Sequence, residues 1–439
     1  MERADVAVVG GGILGTSVAY WLAARYDARI VVIERERAVA EHASRRNTGV
    51  IHRPFYLHPK RARVFARAAS VSYHLWKKYA AEKALEFKEV GTYEIALEDS
   101  QVDVLDNYVI WAIENGMAPH EIERLDEREM KKREPNVVCA GAILSKTDTA
   151  VDYHALTEAL KADAEAMGVK FLTGVGVQAV SARGEDLKIA LDGGRPALPA
   201  TYLVGCAGGE AVDLAHAMGV ALEYTDLHFR GEYWVIDDRV RNLASRNVYS
   251  VPRHRDLPFL DPHWVVRANG RREIGPNAVP VPGPRRYEGL VRPVAPWIAK
   301  LLEPPVRNKI RLAMNRDFLA LSTREMLSSL SKGEMLRRVQ RFLPSLQAEH
   351  LVSKGTAGIR SPVVNPHGAL MKEAIEVPGP HSYHILNYNS PGATGAPAYA
   401  AYIVDRLAAR EDLNHLTKNP KPQKVWDWGI ITKAMEFGG

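Results

Sequence analysis

The chain has 439 residues, too many for one small hydrophobic core, which predicts two closely packed domains. Hydrophobic residues make up 46% of it and charged residues 25%, the composition of a soluble globular enzyme. The net charge of +6 is spread along the chain, which argues against a dedicated nucleic-acid binder and suits an anionic small substrate. Cys139 and Cys206 match no metal or redox spacing, so we expect reduced thiols, a cytoplasmic protein and no metal site.

The first 34 residues predict a dinucleotide-binding turn. A short apolar strand, three consecutive glycines, a helix and a second apolar strand follow one another, and the second strand ends on Glu34. Gly10 permits a sharp turn, Gly12 lets the backbone approach a pyrophosphate, and Gly15 lets the helix pack closely on the strand. Glu34 is placed to accept hydrogen bonds from a ribose hydroxyl. A glycine-rich turn of an unrelated α/β protein is the alternative, but every part stands where the motif requires it.

Helices and strands alternate along the rest of the chain. A polar loop at 43–52 returns beside the glycine turn, where it could wrap the phosphates and present its end to the reactive part of a cofactor. A buried strand at 202–209 ends in glycines and is typical of a return strand of the same domain. The other predicted helices lie at 58–84, 102–115, 152–167 and 394–410, and residues 294–350 are predicted to be a helical region. The other predicted strands lie at 93–97, 169–172, 177–180, 187–190, 229–237, 263–267, 360–364 and 383–388.

These elements predict an α/β (α+β) fold with a discontinuous, Rossmann-like dinucleotide-binding domain. We expect this domain to comprise residues 1–90, 145–225 and 355–410. A substrate domain of β-sheet and helices, residues 91–144 and 226–354, is inserted into it, and residues 411–439 form a C-terminal tail.

Six stretches of sequence carry a family resemblance. They are residues 47–52, 229–233, 258–260 with His263, 275–279, 358–360 and 390–394. With the dinucleotide turn, they resemble flavoproteins of the D-amino-acid-oxidase (DAO) type, and within these the L-2-hydroxyglutarate oxidase/dehydrogenase family, nearly end to end. The resemblance implies the DAO/glutathione-reductase-type fold and non-covalently bound FAD. The chain departs from the family at 53–55, where Arg-Pro-Phe follows the first histidine, and at 371–373, where Met-Lys-Glu replaces an acidic pair.

The expected cofactor contacts come from the glycine turn, the loop, the return strand and the start of the last helix. The amides of that helix would face the O2/N1 edge of the flavin and stabilise the negative charge that appears on reduction, although an ordinary capped helix is the alternative. The predicted cofactor residues are Gly10, Gly12, Ile13, Leu14, Gly15, Glu34, Arg35, Ser44, Thr48, Gly49, Val50, Val177, Ala207, Gly208, Arg360, Pro391, Gly392, Ala393 and Thr394.

Oxidation of a 2-hydroxy acid needs a hydride acceptor, a base for the hydroxyl proton and a cation for the carboxylate. Flavin N5 would accept the hydride. His52 is the leading candidate for the base because its loop would end over the flavin and imidazole titrates near neutral pH. His263, in the substrate domain, is the rival, and a structural histidine is the alternative for each of them.

Two arginines are candidates for the carboxylate, because a guanidinium offers a planar bidentate fork. Arg360 follows a glycine at a strand start, and Arg230 lies in a strand with apolar neighbours. We favour Arg360, because Glu232 is close enough in sequence to be an internal partner of Arg230. Tyr233 and Asn277 could add hydrogen bonds to the substrate or serve as sheet residues.

The leading functional hypothesis is FAD-dependent oxidation of an L-2-hydroxy acid, with L-2-hydroxyglutarate the first choice, and transfer of electrons to a quinone, another acceptor or O2. The alternatives are an amine oxidoreductase of the proline, sarcosine or glycine type, a glycerol-3-phosphate-type dehydrogenase, and an electron-transfer subunit without its own substrate. Basic and aromatic residues at 284–350 and 411–439, including Trp297, Trp426 and Trp428, indicate peripheral contact with the inner face of the cell membrane, or a solvated helical face. The sequence leaves open whether the protein forms a homo-oligomer.

Overall fold

The computed structural model describes residues 1–184, 186–253, 261–289, 294–420 and 426–435. Residues 258–260, one of the stretches that carry the family resemblance, lie outside this part. The helices are α1 (Ile13–Arg25), α2 (Arg63–Glu82), α3 (Val102–Glu114), α4 (Glu127–Arg133), α5 (Tyr153–Ala166), α6 (Ala211–Ala217), α7 (Ala295–Leu302), α8 (Val306–Ala313), α9 (Arg316–Leu330), α10 (Lys332–Val339), α11 (Gly392–Ala409) and α12 (Trp428–Met435).

The strands of the first half of the chain are β1 (Ala4–Val9), β2 (Tyr26–Asp27), β3 (Ile30–Ile33), β4 (Val50–Ile51), β5 (Phe87–Glu89), β6 (Thr92–Ala96), β7 (Ile122–Asp126), β8 (Gly141–Ser145), β9 (Thr149–Val151), β10 (Lys170–Leu172), β11 (Val177–Arg183), β12 (Asp186–Leu191) and β13 (Leu198–Gly205). Those of the second half are β14 (Thr225–Asp226), β15 (His228–Gly231), β16 (Trp234–Ile236), β17 (Asn247–Ser250), β18 (His263–Val266), β19 (Arg272–Gly275), β20 (Val279–Val281), β21 (Leu351–Lys354), β22 (Gly358–Arg360), β23 (Val363–Val364), β24 (Ile375–Gly379), β25 (Ser382–Leu386) and β26 (Thr417–Lys418).

The first large sheet gathers strands from both ends of the chain. Its order is β10-β3-β1-β13-β12-β11, and β25 lies beside the second half of β13 with β24 outside it. The pairs β10/β3, β3/β1, β1/β13 and β13/β25 are parallel, and β1 and β3 are short apolar runs because helices cover the sheet. The carboxyl ends of β1 and β13 meet where the amide of Cys206 donates to the Val9 carbonyl oxygen.

Helix α1 is buried over nearly its whole length, since it lies between this sheet and helices α5 and α11. It begins at Ile13, directly after the three consecutive glycines. The last helix, α11, packs on both α1 and α2. Asp152 precedes α5 and accepts hydrogen bonds from the amides of His154 and Ala155, as a capping residue should.

The second large sheet has the order β21-β16-β19-β18-β17-β6-β8-β7 and is antiparallel except for the β17/β6 pair. One face packs on the apolar side chains of α10 and the segment that follows it. The other face carries polar residues, among them Thr92, Glu94, Asn247, Tyr249 and His263, all of them buried. Polar residues buried on a sheet face need partners, so this face marks the side on which a site is expected.

Small sheets join the regions between the two large sheets. Strand β15 pairs with β20 and with β22, so Arg360 lies opposite Phe229 although 131 positions separate them in sequence. Strand β4, which ends just before His52, pairs with β9. These pairings bring the ends of the loop at 43–52 and of β22 to one place.

The tail after α11 belongs to the core of the molecule. Strand β26 pairs with β2, and Trp426 is 3% exposed among Tyr20, Trp21, Trp76 and Tyr79. The expectation that Trp426 belongs to a membrane-contacting surface is therefore wrong, because aromatic rings of α1 and α2 already surround it.

None of the helices in the described ranges has both the length and the apolar character that are needed to cross a lipid bilayer.

Candidate active site

A single cavity runs between the starts of helices α1 and α11, beneath the polar face of the second sheet. Its walls come from the glycine turn, the loop at 43–52, the β15/β22 pair and the final glycine turn. Of the predicted cofactor residues, twelve line it: Gly12, Ile13, Leu14, Ser44, Thr48, Val50, Gly208, Arg360, Pro391, Gly392, Ala393 and Thr394. His52, Tyr233, Tyr249 and Asn277 line it as well.

The glycine turn fits the backbone of a bound dinucleotide. Gly10 has φ +108°, a conformation that favours glycine, and a Cβ there would overlap the Cys206 carbonyl. A Cβ on Gly15 would overlap the Gly10 carbonyl oxygen, so this position holds the helix against the strand. Ser44 accepts a hydrogen bond from the Ile13 amide at 2.9 Å and joins the loop to the helix start. The start of α1 therefore presents a cradle that suits a pyrophosphate.

Glu34 lies beside this cradle and is held by backbone amides. Its Oε2 accepts from Gly11 at 2.7 Å and its Oε1 from Glu36 at 2.8 Å. Burial raises the pKa of the Glu34 carboxyl, while these two hydrogen bonds act in the opposite direction. The contacts leave further lone pairs for a ribose hydroxyl, which is the role predicted for this residue.

The remaining predicted cofactor residues stand outside the cavity wall. Arg35 forms an ion pair with Glu210, and Val177 lies in β11 at the edge of the first sheet. Gly49 has φ +68°, and its carbonyl oxygen accepts a hydrogen bond from the Val151 amide. It therefore shapes the loop before His52. Ala207 follows β13 and packs on apolar side chains under the sheet.

The other end of the cavity is the start of α11. Gly392, Ala393 and Thr394 form its first residues, and no side chain caps it. Thr394 Oγ1 accepts a hydrogen bond from the His52 amide at 3.1 Å and lies 3.0 Å from the Tyr153 hydroxyl. Free helix-start amides carry partial positive charge, so this end suits a group that becomes negative.

His52 is held by a fully buried carboxylate. Its Nδ1 lies 3.2 Å from Asp148 Oδ2, and its side chain is 13% exposed to the cavity. Asp148 also accepts from the Thr92 hydroxyl at 2.9 Å, the Ser145 hydroxyl at 2.6 Å and the Arg53 amide at 3.1 Å. Asp148 is a hydrogen-bond acceptor for all of these groups, so it places the proton of the His52 ring on Nδ1. The lone pair of Nε2 can then accept a proton from the cavity.

His263 is placed differently. It lies behind Tyr249, with the two rings stacked 3.8 Å apart, and is 1% exposed. Burial lowers the pKa of His263 to about 3, although the bond from its Nδ1 to the Asp261 carbonyl favours the charged ring; the nearby His52, Arg267 and Arg360 lower it further. The structure brings His52, not His263, to the cavity wall.

Arg360 lines the cavity from the end of β22. Burial lowers its pKa, and the hydroxyl groups of Tyr233 and Tyr56 act in the opposite direction. A half-buried guanidinium that borders a cavity suits an anionic ligand, because a carboxylate is its ordinary partner.

Arg230 does not face the cavity, which corrects its prediction as a substrate ligand. Its Nε and Nη2 donate to Glu232 Oε1 at 3.0 and 2.7 Å, and its Nη1 donates to the carbonyls of Arg286 and Gly289. Asn277 makes two hydrogen bonds with Glu232: its Nδ2 donates to Glu232 Oε2, and its Oδ1 accepts from the Glu232 amide. The internal partner considered for Arg230 is the one that it has, and its guanidinium donates four hydrogen bonds within the protein.

Sequence reasoning missed Asp148, Tyr249 and Tyr56. Asp148 stands in a polar turn between two strands, 96 positions after His52, and nothing local marks it as the partner of an imidazole. Tyr249 is a β-strand tyrosine like many others.

The departure from the family at 53–55 has a structural cause, because Arg53 is fully buried and binds both oxygens of Glu121 at 3.0 and 3.1 Å.

Comparisons with known proteins agree with this geometry. The FAD dependent oxidoreductase family, DAO, matches residues 5–406. L-2-hydroxyglutarate dehydrogenase of Salmonella houtenae is 31% identical over 409 residues, 92% of this chain and 93% of the relative. The mitochondrial L-2-hydroxyglutarate dehydrogenase of Caenorhabditis elegans is 27% identical over 421 residues, 93% of this chain and 94% of the relative.

Two solved structures share the fold. Dithionite-reduced L-alpha-glycerophosphate oxidase from Mycoplasma pneumoniae with FAD bound has a TM-score of 0.72 at 20% identity and covers 96% of this chain and 98% of its own. Glycine oxidase from Geobacillus kaustophilus has a TM-score of 0.68 at 18% identity and covers 93% and 95%. The predicted flavoprotein fold and FAD cofactor are confirmed, and the chain belongs to the family of FAD-dependent oxidoreductases of the DAO type.

Proposed function

We propose that this oxidoreductase converts an L-2-hydroxy acid, with L-2-hydroxyglutarate as the first candidate, into the 2-oxo acid. The observation that carries the proposal is the presence of His52, fixed by Asp148, and of Arg360 on the walls of one cavity that opens onto the start of α11. A base and a carboxylate-binding cation are the two protein groups that this oxidation requires. The names of the relatives support L-2-hydroxyglutarate as the first substrate to test.

Each residue has a distinct proposed task. Bound FAD supplies the acceptor for the hydride that leaves C2. His52 Nε2 takes the proton of the C2 hydroxyl, and Asp148 holds the ring in the required tautomer and orientation. Arg360 binds the C1 carboxylate and so fixes which face of C2 is presented. Arg230 is not assigned the direct substrate contact that the sequence predicts; together with Glu232 it stabilises the wall of the cavity.

The division into a cofactor domain and an inserted substrate domain is part of this proposal. The cofactor cradle lies on the first sheet, and Tyr249 and Tyr233 border the cavity from the side of the second. Arg360 belongs to the sequence segment that we assign to the cofactor domain, yet β22 pairs with β15 of the other. The site is therefore proposed to lie between the two domains.

A panel of substrates tests the reaction class. The purified yellow protein is mixed anaerobically with L-2-hydroxyglutarate, L-malate, L-lactate, glycerol 3-phosphate and L-proline, and the flavin absorbance is followed. We expect L-2-hydroxyglutarate to bleach the flavin fastest. Bleaching by glycerol 3-phosphate or L-proline alone would contradict the proposal, and no bleaching by any compound would favour an electron-transfer subunit.

We further propose that electrons leave to a membrane quinone and that helices α7–α9 touch the lipid surface. Six apolar side chains there are at least half exposed, and three arginines on α8 and α9 are exposed beside them. Apolar and basic residues together suit an anionic bilayer surface. The residues are Val294, Ile298, Leu301, Leu302, Ile310 and Met314, with Arg307, Arg311 and Arg316.

Sedimentation with lipid vesicles tests this surface. We expect the protein to bind vesicles that contain anionic lipid and to be released at high salt. The double variant Ile298→Ser with Leu302→Ser should lose binding, whereas Ile110→Ser, an equally exposed residue on α3, should not. Equal binding by both variants would remove α7 from the contact.

A further inference from the structure

Glu94 is a buried carboxyl group beside the catalytic histidine's partner. In strand β6 it follows Thr92 by two residues, so the two side chains lie on the same face of the sheet. Thr92 donates to Asp148, and Tyr249, which lines the cavity, is the neighbour of Glu94 on β17. Glu94 is 7% exposed. The carboxyl group is therefore enclosed next to the site.

The surroundings of Glu94 contain more negative than positive charge. Among the residues described, no hydrogen bond or ion pair holds its carboxyl group. The charge of Asp148 raises the pKa of Glu94, and the charges of both carboxyl groups raise the pKa of the Tyr56 hydroxyl. Arg53 is bound to Glu121, and neither Arg53 nor Arg360 offsets the charge of Asp148 at Glu94. Burial raises the pKa of Glu94 to about 8, and the charge of Asp148 adds to the shift.

The two carboxyl groups differ in what holds them. Asp148 accepts four hydrogen bonds, which stabilise its negative charge. Glu94 has none of this support, so its neutral form is favoured. Two adjacent carboxyl groups in such unequal surroundings carry a single negative charge between them near neutral pH.

We propose that Glu94 is a positioning residue of the proposed 2-hydroxy-acid site, which by remaining protonated keeps the charge beside His52 at one and lets an anionic substrate bind. The inference rests on the proposed function. Ionised Glu94 would place a second negative charge next to the cavity into which Arg360 draws a carboxylate. Substrate affinity should then fall as the pH rises through the ionisation of Glu94.

The pH dependence of kinetics is the first test. With L-2-hydroxyglutarate, the kcat/KM of the parent protein should decline above about pH 8, chiefly through KM. Glu94→Gln, which stays neutral, should keep a nearly constant KM to higher pH. Glu98→Gln is the matched control, because Glu98 is exposed and bound to Arg341, and it should behave as the parent. A decline that persists unchanged in Glu94→Gln would overturn the proposal.

Urea unfolding without substrate is the second test and does not depend on the proposed function. Because the folded-state pKa of Glu94 is raised, the native state keeps a proton that the unfolded chain loses above about pH 4.3. Its contribution to stability is therefore present at acid pH and is lost as the pH rises towards 8. The difference in unfolding free energy between Glu94→Gln and the parent should grow from pH 5 to 8.

The two tests separate the possible failures. If no hydroxy acid reduces the flavin but the unfolding difference grows, the proposed function is wrong and the protonated Glu94 stands. An unfolding difference that does not change with pH overturns the proposal even when the hydroxy acid is the substrate. If Glu94→Gln does not fold, Glu94→Met, of similar length and also neutral, replaces it in both experiments.

Discussion

His52 and His263 have the same side chain but opposite surroundings. The His52 ring borders the cavity and has a carboxylate at Nδ1, so the imidazolium formed by accepting a proton is stabilised. The His263 ring is enclosed by Tyr249 and has arginines as its charged neighbours, so the same event there would be opposed. The choice between the two bases is therefore a matter of environment.

Replacing each histidine should give different kinetics. His52→Asn should lower kcat by about 10²–10⁴, the usual span for loss of a general base, with a smaller change in KM. Steady-state kinetics from pH 5 to 9 measure both effects, with His263→Asn as the control. If His263→Asn abolishes activity and His52→Asn does not, the assignment is wrong.

The two arginines should also fail differently. Because we propose that Arg360 binds the substrate carboxylate through two hydrogen bonds, Arg360→Lys should raise KM strongly, with some fall in kcat because C2 is held less firmly. Arg230→Lys keeps the charge but removes most of the hydrogen bonds that the buried guanidinium donates, and should lower the unfolding free energy by about 1–3 kcal/mol, the cost of leaving buried acceptors unsatisfied. Kinetics and urea unfolding of both variants separate the roles. A large KM effect from Arg230→Lys with unchanged stability would restore it as a substrate ligand.

Residue types with strong local rules were the easiest to predict. Gly10, Gly12 and Gly15 have positions in a short motif that sets their task. Asp148 could not be found, because its role comes from a tertiary contact with His52 and any polar turn could hold an aspartate. Arg230 illustrates an alternative that sequence left open, since only coordinates show which oxygens its nitrogens reach.

At the scale of elements, the glycine turn does more than leave space for a pyrophosphate. Glu34, at the end of β3, receives the Gly11 amide, so the second strand of the motif also holds the turn that follows the first. One carboxylate thus links two strands and is expected to bind a ribose as well. Loss of the Glu34 carboxylate should therefore change the geometry of the turn and also weaken the retention of FAD.

Glu34→Ala should weaken FAD binding by about 1–3 kcal/mol, the cost of losing a charged hydrogen-bond acceptor. Flavin fluorescence during dilution or dialysis measures the dissociation constant, and acid precipitation should release free FAD. Glu41→Ala is the control, because Glu41 forms a local ion pair with Arg45. Equal FAD retention by parent and Glu34→Ala would exclude the ribose role.

The boundaries of some helices were predicted better than those of strands. Helix α3 was predicted at 102–115 and spans Val102–Glu114, because its apolar period and Gly116 mark both ends. The strand predicted at 360–364 is instead divided into β22 and β23, which pair with different partners. Pairing depends on residues far away in sequence, and the local pattern contains no record of them.

At the scale of the whole molecule, the tail is part of the apolar core that also contains β1, α1 and α11. The Trp426 indole donates to the Leu75 carbonyl at 3.1 Å and packs on rings from α1 and α2. Strand β26 closes the same side by pairing with β2. Residues that follow the last long helix are thus needed to cover the first one.

Trp426→Ala should lower the unfolding free energy by about 3–5 kcal/mol, the usual cost of emptying a buried tryptophan site. Trp428→Ala should cost less, because Trp428 is only partly buried. Urea unfolding measures both, and vesicle binding should be the same in each. A stability effect of Trp428→Ala equal to that of Trp426→Ala would mean that the tail does not pack as described.

The contact of Thr394 with His52 and Tyr153 has a consequence for biosynthesis. The residues that close the flavin end of the cavity are separated from the first glycine turn by nearly nine-tenths of the chain. A ribosome that adds about 5–20 residues per second needs roughly 20–80 s to reach this point. Until then the nascent N-terminal strand and helix lack α11 as a cover, so they are a natural client for a chaperone, and complete loading of FAD has to wait until translation is almost finished.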